Sequence, residues 1–166
     1  MSPSTVEFLD ISRAFLLLVA ANAVPVLVAK VARGWGAYPL DCGWVLTDGR
    51  RLFGDHKTWR GLFTGTMAGA LLAIWLDIPA STGATFAFAS LTGDALSSTF
   101  KRRLDLKPGA EVPGLDQVGE TVLPLLLFGS RLDLSLAEGI LAGVLFVVLD
   151  LACAPLRAKG PKSLQE

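Results

Sequence analysis

The sequence is poor in the residues from which disulfide scaffolds and many soluble enzymes are built. Its 166 residues include two cysteines, one histidine and one tyrosine, and only 18% of them are charged. Cys42 and Cys153 follow no disulfide or metal-binding spacing, so the sequence predicts neither a disulfide framework nor a cysteine metal site. With His56 as the single histidine, no Ser-His or Cys-His catalytic pair is visible. The formal net charge is zero, so electrostatic attraction must come from how the charges are distributed.

Hydrophobic residues, in contrast, make up 52% of the chain, and the mean hydropathy is +0.53. This composition is more apolar than that of a soluble domain. Because one membrane-spanning helix needs about 20 residues, the length suits a single compact bundle of roughly four to six spans. We expect the first segment to be a span and not a cleaved signal peptide, because no basic region precedes it. We therefore predict one all-α integral membrane domain with about five transmembrane helices, at about residues 11–31, 61–76, 82–100, 115–130 and 136–156.

Polar and turn-forming residues interrupt three parts of this apolar sequence. Asn22 and Pro25 fall inside the first segment, where the sequence leaves open a packing kink or a polar cavity. The apolar run Gly61–Gly93 is too long for one span, so we expect a hairpin that turns at residues 77–82. Asp150, in the last segment, is interpreted as a charge at the membrane interface.

The loop at residues 32–60 contains the most strongly cationic part of the chain. Four cations fall within eleven residues, at Arg50, Arg51, Lys57 and Arg60. Guanidinium and ammonium groups are the usual partners of phosphate oxygens, and nearby glycines allow the backbone to turn closely around a bound group. The sequence thus favours an anion-binding site beside a membrane. A basic loop that only orients the protein in the bilayer is the alternative.

Carboxylates near the ends of two predicted spans form a second polar group. Asp94, Ser97, Ser98 and Lys101 are spaced at i, i+3, i+4 and i+7, which places them on one helix face. A carboxylate inside a membrane segment is costly in lipid, so Asp94 is expected to face the bundle interior, either as part of a site or in a structural ion pair.

After the polar loop at residues 101–114, the fourth segment supplies two more carboxylates. Asp116 and Glu120 are spaced at i and i+4 and therefore project from the same face. Together with Asp94 they give three acidic groups that could meet at one depth. A hard cation such as Mg²⁺ requires an oxygen-rich set of this kind.

The distribution of cations predicts the orientation of the bundle. Thirteen of the 15 lysines and arginines lie in or beside the first and third loops and in the C-terminal tail; only Arg13 and Arg131 lie on the other side of a five-span bundle. By the positive-inside rule, these loops and the C-terminus are cytoplasmic and the N-terminus is outside. We expect a multi-pass protein of the cell membrane, with both polar groups on the side where nucleotides and Mg²⁺ are available.

Three stretches of the chain carry a family resemblance. They are Asp48-Gly49-Arg50-Arg51-Leu52-Phe53-Gly54 followed by Lys57-Thr58-Trp59-Arg60-Gly61, then Gly93-Asp94 with Lys101-Arg102-Arg103-Leu104, then Leu115-Asp116-Gln117. Taken in order over most of the chain, they resemble the CDP-archaeol synthase family, which is related to phosphatidate cytidylyltransferases. The resemblance implies a transferase that uses CTP and Mg²⁺ to convert a lipid phosphate, such as that of a geranylgeranyl glycerol diether, to a CDP-lipid and pyrophosphate.

The same resemblance implies roles for individual residues. The metal would be held by Asp94, Asp116 and Glu120, and the catalytic set would be Asp94, Asp116, Lys57 and Lys101. The nucleotide and the phosphates would be bound by Asp48, Arg50, Arg51, Lys57, Thr58, Arg60, Ser97, Ser98, Lys101 and Arg102. Where a second aspartate is expected after Asp-Gln-X, this chain has Gly119, so either Glu120 supplies that carboxylate or the metal site is altered.

The partners expected from this hypothesis are CTP, a lipid phosphate and membrane lipids, with no nucleic acid; a homo-oligomer is compatible with the sequence. A non-catalytic transporter or flippase for a phosphorylated lipid is the alternative, because it would use the same cations. The chain shows no internal repeat of the kind that is common in transporters. The segment Gly54–Thr58 ends in Lys-Thr, as a P-loop does, but it lacks the glycine before the lysine and the four-residue spacer. We therefore reject a P-loop nucleotide-binding site.

Overall fold

The computed structural model describes residues 3–104 and 114–158, and helices make up most of both ranges. The five α-helices are α1 Pro3–Ala32, α2 Trp59–Trp75, α3 Ala80–Arg103, α4 Leu115–Phe128 and α5 Leu136–Ala158. A short 3-10 helix, Gly129–Leu132, follows α4. Within the described ranges the only β-structure is two isolated bridges. The all-α prediction is confirmed, and the helices fall over the five predicted segments, although α1 begins earlier than residue 11.

The outer surface of the bundle is apolar. Two segments are long and apolar enough to cross a membrane, Glu7–Ala32 within α1 and Leu136–Ala154 within α5, each with a mean hydropathy of 2.2. Large hydrophobic side chains such as Phe63, Leu126 and Val148 are more than half exposed on helix faces that no other element covers. Such faces suit a lipid environment, because they would be unfavourable over this extent in water.

Pairs of glycines bring the three central helices into close contact. Gly69 of α2 lies against Gly83 of α3, and Gly93 of α3 lies against Gly119 of α4. In each pair, a Cβ atom built on either glycine would lie within 2.7 Å of the carbonyl oxygen of the other. Small residues allow helix backbones to approach to this distance. The second pair therefore fixes the first turns of α4 beside the part of α3 that carries Asp94.

The polar residues inside α1 take part in helix packing. Pro25 has no N–H, so the carbonyl of Ala21 four residues earlier lacks its helical donor. The backbone of Gly65 covers this carbonyl, since a Cβ atom at Gly65 would lie 2.6 Å from the Ala21 oxygen. Asn22 donates hydrogen bonds to the Leu18 carbonyl at 2.9 Å and to Ser90 Oγ of α3 at 3.0 Å. Of the two interpretations left open by the sequence, these contacts support the packing one.

The contact between Gly93 and Gly119 makes a prediction about stability. We expect Gly119→Ala to destabilise the fold by about 1–3 kcal/mol, because its new methyl group would have to push α3 and α4 apart. Thermal unfolding in detergent measures the loss. Gly139→Ala is the control. Gly139 lies on α5, and its Cβ atom would have no neighbour within 4 Å, so we expect no loss of stability or a small gain. An equal loss in the two variants would contradict this account of the contact.

Candidate active site

The loop between α1 and α2, residues 33–58, folds into an ordered structure that we call the cap. Its chain doubles back on itself, with an antiparallel bridge between Val45 and Arg51 and another between Pro39 and Thr58. Backbone hydrogen bonds support both, including Leu40 N–H to the Lys57 carbonyl at 2.6 Å. The most cationic segment of the sequence is therefore held in a defined conformation.

Asp41 organises the inside of the cap. Its side chain is fully buried and accepts hydrogen bonds from Arg51 Nη2 at 2.5 Å and Arg51 Nε at 3.2 Å. It also accepts from three backbone N–H groups, those of Gly43 at 3.1 Å, Phe53 at 3.0 Å and Gly54 at 2.8 Å. One carboxylate thus joins two segments of the cap that lie about ten residues apart in the sequence.

Hydrogen bonding keeps Asp41 ionised in spite of its burial. Burial alone would raise the pKa of the carboxyl, but the bonds from Arg51 and from the three backbone N–H groups outweigh it and hold the pKa well below its usual range. The bond to Asp41 in turn raises the pKa of Arg51. The two side chains therefore remain a charged pair under ordinary conditions.

The low pKa of Asp41 predicts how the protein responds to acid. A carboxyl whose pKa is lowered by folding stabilises the fold above its unfolded pKa, about 3.9, and loses this contribution as the pH falls further towards the folded pKa. We expect the melting temperature of the wild type to exceed that of Asp41→Asn by a constant amount between about pH 5 and 7. Below about pH 4 the difference should shrink. A difference that grows on acidification would contradict the assignment.

One ion pair joins the cap to α3. The ammonium group of Lys57 donates a hydrogen bond to the carboxylate of Asp94, and the two side chains are 23% and 19% exposed. Lys57 belongs to the cationic loop and Asp94 to the polar helix face, so the two polar groups found in the sequence meet in a single contact. The sequence left open whether Asp94 belongs to a site or to a structural ion pair. The structure contains an ion pair, and the partner of Asp94 is a lysine of the cap.

Arginines hold the cap on the C-terminal end of α3. Arg50 Nη1 donates to the carbonyls of Arg102 at 2.6 Å and Arg103 at 3.1 Å, in the last turn of α3. Arg103 forms an ion pair of 2.8 Å with Asp48. Arg102 Nε donates to the Phe53 carbonyl at 2.9 Å. Four cationic residues, counting Lys57, therefore lie around the cap–α3 junction.

Three other predicted phosphate-binding residues have their described contacts within the cap or at the start of α2. Arg51 donates hydrogen bonds to Asp41 and forms an ion pair of 3.0 Å with the exposed Asp55. Arg60 Nη1 donates to the Trp35 carbonyl at 2.5 Å. The Thr58 hydroxyl accepts from the Gly61 N–H at 3.1 Å and caps the N-terminus of α2.

The predicted polar face of α3 is only partly accessible. Ser97 and Ser98 are buried, and both hydroxyls donate to the Asp94 main-chain carbonyl at 3.0 Å. Lys101 is half-buried in the last turn of α3. Helical spacing thus placed these residues on one side of the helix. The two serines are buried, however, whereas the side chains of Lys57 and Asp94 are partly exposed.

The turns of α4 that carry the predicted carboxylates lie next to α3. Asp116 and Glu120 occupy the first two turns of α4, although the side chain of Asp116 lies outside the described part. Among the described side chains, no three histidine, cysteine or acidic residues cluster in a way that could hold a metal. The predicted loop 101–114 begins within α3, and residues 105–113 lie outside the described part.

Asp150 connects two helices. We interpreted it as a charge at the membrane interface. In the structure it is half-buried and accepts a hydrogen bond of 2.9 Å from Gln117 Nε2. Gln117 is buried, and its Oε1 accepts from the Gly114 N–H at the start of α4. Asp150 therefore links α5 to the N-terminal turn of α4.

The fold and the site define a helical membrane protein in which an ordered cationic cap meets a carboxylate near the end of a core helix. Such an arrangement can bind a polyanion through the cations and a hard cation through the carboxylates. No histidine or cysteine pair is needed for this, and His56 is exposed on the cap surface.

Comparison with known proteins identifies the family. A family profile described as CarS-like, CDP-archaeol synthase, matches residues 8–155, so the chain belongs to the CDP-archaeol synthase family. It is 37% identical over 130 residues to the CDP-archaeol synthase of Thermofilum pendens, which is 75% of this chain and 64% of that protein. It is 33% identical over 162 residues to the CDP-archaeol synthase of Pyrobaculum calidifontis, which is 90% of this chain and 96% of that protein.

A solved structure is also similar. It belongs to an intramembrane enzyme for archaeal membrane lipid biosynthesis, and it matches with a TM-score of 0.74 and 31% identity over 86% of this chain and 90% of that chain. The family resemblance of the sequence motifs is thereby confirmed, and the transporter alternative gains no support. The chain spans just under two thirds of the length of the Thermofilum relative.

Proposed function

We propose that the protein transfers CMP from CTP to a lipid phosphate and releases pyrophosphate. The observation that carries this proposal is the contact between Lys57 and Asp94, which brings a phosphate-binding cation and a metal-binding type of carboxylate to one place. The relatives named CDP-archaeol synthase support an archaeal-type ether lipid phosphate as the acceptor.

The chemistry requires little of the protein beyond positioning and charge. An oxygen of the ionised lipid phosphate attacks the α-phosphorus of CTP and forms a new P–O bond. The P–O bond between the α- and β-phosphates breaks, and pyrophosphate leaves with the bonding electrons. Because the nucleophile is already an anion near neutral pH, no side chain has to remove a proton. Holding two anions in line and neutralising their charge supplies the catalysis.

The cations at the cap–α3 junction suit that task. Lys57, Arg50 and Arg102 would bind the triphosphate and the lipid phosphate, together with Lys101, which adjoins Arg102 in the last turn of α3. Asp48 would act through Arg103, whose guanidinium it holds. The described contacts assign Arg51, Arg60 and Thr58 to the internal structure of the cap and the start of α2, so we place them outside the phosphate-binding set.

We also propose that carboxylates of α3 and α4 bind a magnesium ion. Asp94 already holds a positive charge, the Lys57 ammonium, and the Gly93–Gly119 contact brings the turns of α4 that carry Asp116 and Glu120 beside it. These three residues would hold Mg²⁺, which when bound neutralises charge on the phosphate oxygens. An aspartate at position 119 would not fit against Gly93, so Glu120 is our candidate for the second α4 carboxylate.

We infer that Lys57 and Asp94 exchange partners when substrate binds. In the free protein the two charges neutralise each other, so the carboxylate is not left without a counter-charge in a membrane-embedded position. A triphosphate is a stronger partner for the ammonium, and a divalent cation is a stronger partner for the carboxylate. Substrate and metal would therefore bind cooperatively at this pair.

We also propose that all five helices cross the membrane, with the cap on the cytoplasmic side, the N-terminus outside and the C-terminus in the cytoplasm. The two shortest segments are α2, with a length of about 26 Å, and α4 with its 3-10 extension, with a length of about 29 Å; both are close to a hydrocarbon core of about 30 Å. The cations at the cap and at the end of α3 favour this orientation.

Pyrophosphate release by the purified protein tests the function. We would supply CTP and Mg²⁺ with an archaeal-type ether lipid phosphate in one reaction and a bacterial-type ester lipid phosphate in another. Release that depends on the lipid is the expected result, and the lipid that supports it names the acceptor. A protein that does not bind CTP and releases no pyrophosphate with either lipid would contradict the proposal and favour a transporter.

A further inference from the structure

Pro124 interrupts the hydrogen-bond ladder of α4. It is fully buried, and because its ring nitrogen carries no hydrogen, the main-chain carbonyl of Glu120 has no helical donor. In the hydrocarbon region there is no water to satisfy such a carbonyl, and leaving it without a donor costs free energy. A proline here is tolerated only if another group supplies the hydrogen bond.

Ser90 of α3 supplies that hydrogen bond. Its side chain is fully buried, and its hydroxyl donates to the Glu120 carbonyl at 2.8 Å. Asn22 of α1 donates to the same Ser90 oxygen at 3.0 Å, so the serine proton is directed at Glu120. The chain Asn22, Ser90, Glu120 carbonyl thus connects three helices at the point where α4 lacks its own bond.

This connection lies one helical turn from the candidate site. Ser90 precedes Asp94 by four residues on α3, and Glu120 follows Asp116 by four residues on α4, so each pair shares a helix face. Between the two levels, the backbones of Gly93 and Gly119 are in contact. The position of the first two turns of α4 relative to Asp94 therefore depends on the Ser90 bond as well as on the glycines.

We propose that Ser90 is a positioning residue, which fixes the carboxylate-bearing turns of α4 beside Asp94 by donating to the Glu120 carbonyl, whose helical donor is missing because of Pro124. For its catalytic consequence this inference rests on the proposed function. The structural half stands on the hydrogen bonds and the proline alone.

A set of four proteins tests the proposal: wild type, Ser90→Ala, Pro124→Ala and the double variant. Melting temperatures are measured in detergent without CTP or metal, and kcat and KM are measured by pyrophosphate release. Thr92→Ala is the matched control, because the Thr92 hydroxyl lies on the same helix but donates only to the Phe88 carbonyl of that helix. We expect this control to match the wild type in both measurements.

Ser90→Ala should lower the melting temperature and reduce kcat roughly tenfold, with a smaller change in the KM for CTP. In the Pro124→Ala background the new alanine N–H can donate to the Glu120 carbonyl, so the same serine substitution should cost less in melting temperature. The kcat of the double variant should stay low, because it still lacks the hydrogen bond between α3 and α4.

Two results would overturn the proposal. An equal loss of melting temperature in both backgrounds would show that Ser90 does not replace the bond missing at Pro124. A double variant that recovers kcat together with stability would show that Ser90 only satisfies a carbonyl and positions nothing. If the wild type itself releases no pyrophosphate, the proposed function fails, and the melting temperatures alone decide whether Ser90 holds α4.

Discussion

Asp94→Asn reduces CTP-dependent pyrophosphate release roughly 10³-fold in a protein that still folds: this is the largest effect that we expect from a single substitution at the site. The amide has nearly the same shape as the carboxylate and can still accept a hydrogen bond from Lys57, so the cap should stay in place. It carries no charge, however, and amides are weaker ligands than carboxylates for a hard cation. Turnover with saturating lipid phosphate measures the effect, and the melting temperature reports folding.

Asp77→Asn is the matched control for this substitution. Asp77 is exposed in the turn between α2 and α3, where its φ of 56° is a conformation that asparagine also tolerates. We expect wild-type turnover in this variant. Normal turnover in Asp94→Asn would remove Asp94 from the reaction and reduce its ion pair with Lys57 to a structural contact.

Asp41→Asn should disrupt the cap and lower both stability and activity. The neutral side chain has one acceptor oxygen in place of two charged ones, so it cannot satisfy Arg51 and the three backbone N–H groups together. We expect a loss of about 3 kcal/mol in the free energy of unfolding, or of local unfolding of the cap. Because the cap carries Lys57 and Arg50, turnover should fall at least about a hundredfold. Thermal unfolding and pyrophosphate release measure the two losses.

Asp55 provides the comparison, since it contacts the same guanidinium from the outside. Its side chain is 78% exposed, and exposed ion pairs contribute little to stability. Asp55→Asn should therefore be close to the wild type in stability and in turnover. Similar damage in the two variants would mean that the charge of Arg51, and not the buried carboxylate, organises the cap.

The helices, and the importance of Lys57 and Asp94 as individual residues, were predictable from the sequence for a physical reason. Long apolar runs can only form helices in a bilayer, so their limits follow from hydropathy and length. Lys57 and Asp94 stand out because each is a charged residue beside or inside such a run, where charge has to be compensated. Their proximity to each other could not be predicted, since it depends on how the cap folds back over α3.

The roles of other charged residues depend on contacts that spacing does not reveal. Arg51 and Arg60 have the same chemistry as Arg50, but one is engaged by Asp41 and the other by the Trp35 carbonyl. Ser97 and Ser98 have the spacing of a polar face, yet both are buried, and the Ser97 hydroxyl packs against Gly119 of α4. Asp41 itself was missed, because an aspartate in a polar loop has no distinctive neighbours apart from the glycine two residues later, with which it forms a turn.

Gly119 shows how structure can explain a departure from a family pattern. From the sequence, this glycine in place of an expected aspartate raised the question of whether the metal site is altered. In the structure it is the residue that allows α4 to touch α3 at Gly93. A side chain there would separate the helices, so an aspartate does not fit at this position, and we propose the next residue, Glu120, as the carboxylate in its place.

Transfer of label from CTP to the lipid tests the central claim most directly. The purified protein would be incubated with Mg²⁺, the lipid phosphate and CTP labelled at either the α- or the γ-phosphorus, and the lipid and aqueous fractions would be separated. A cytidylyltransferase places the α-label in the lipid and the γ-label in pyrophosphate. Label from the γ-position in the lipid would instead indicate a kinase, and no label in the lipid from either position would contradict the proposed reaction.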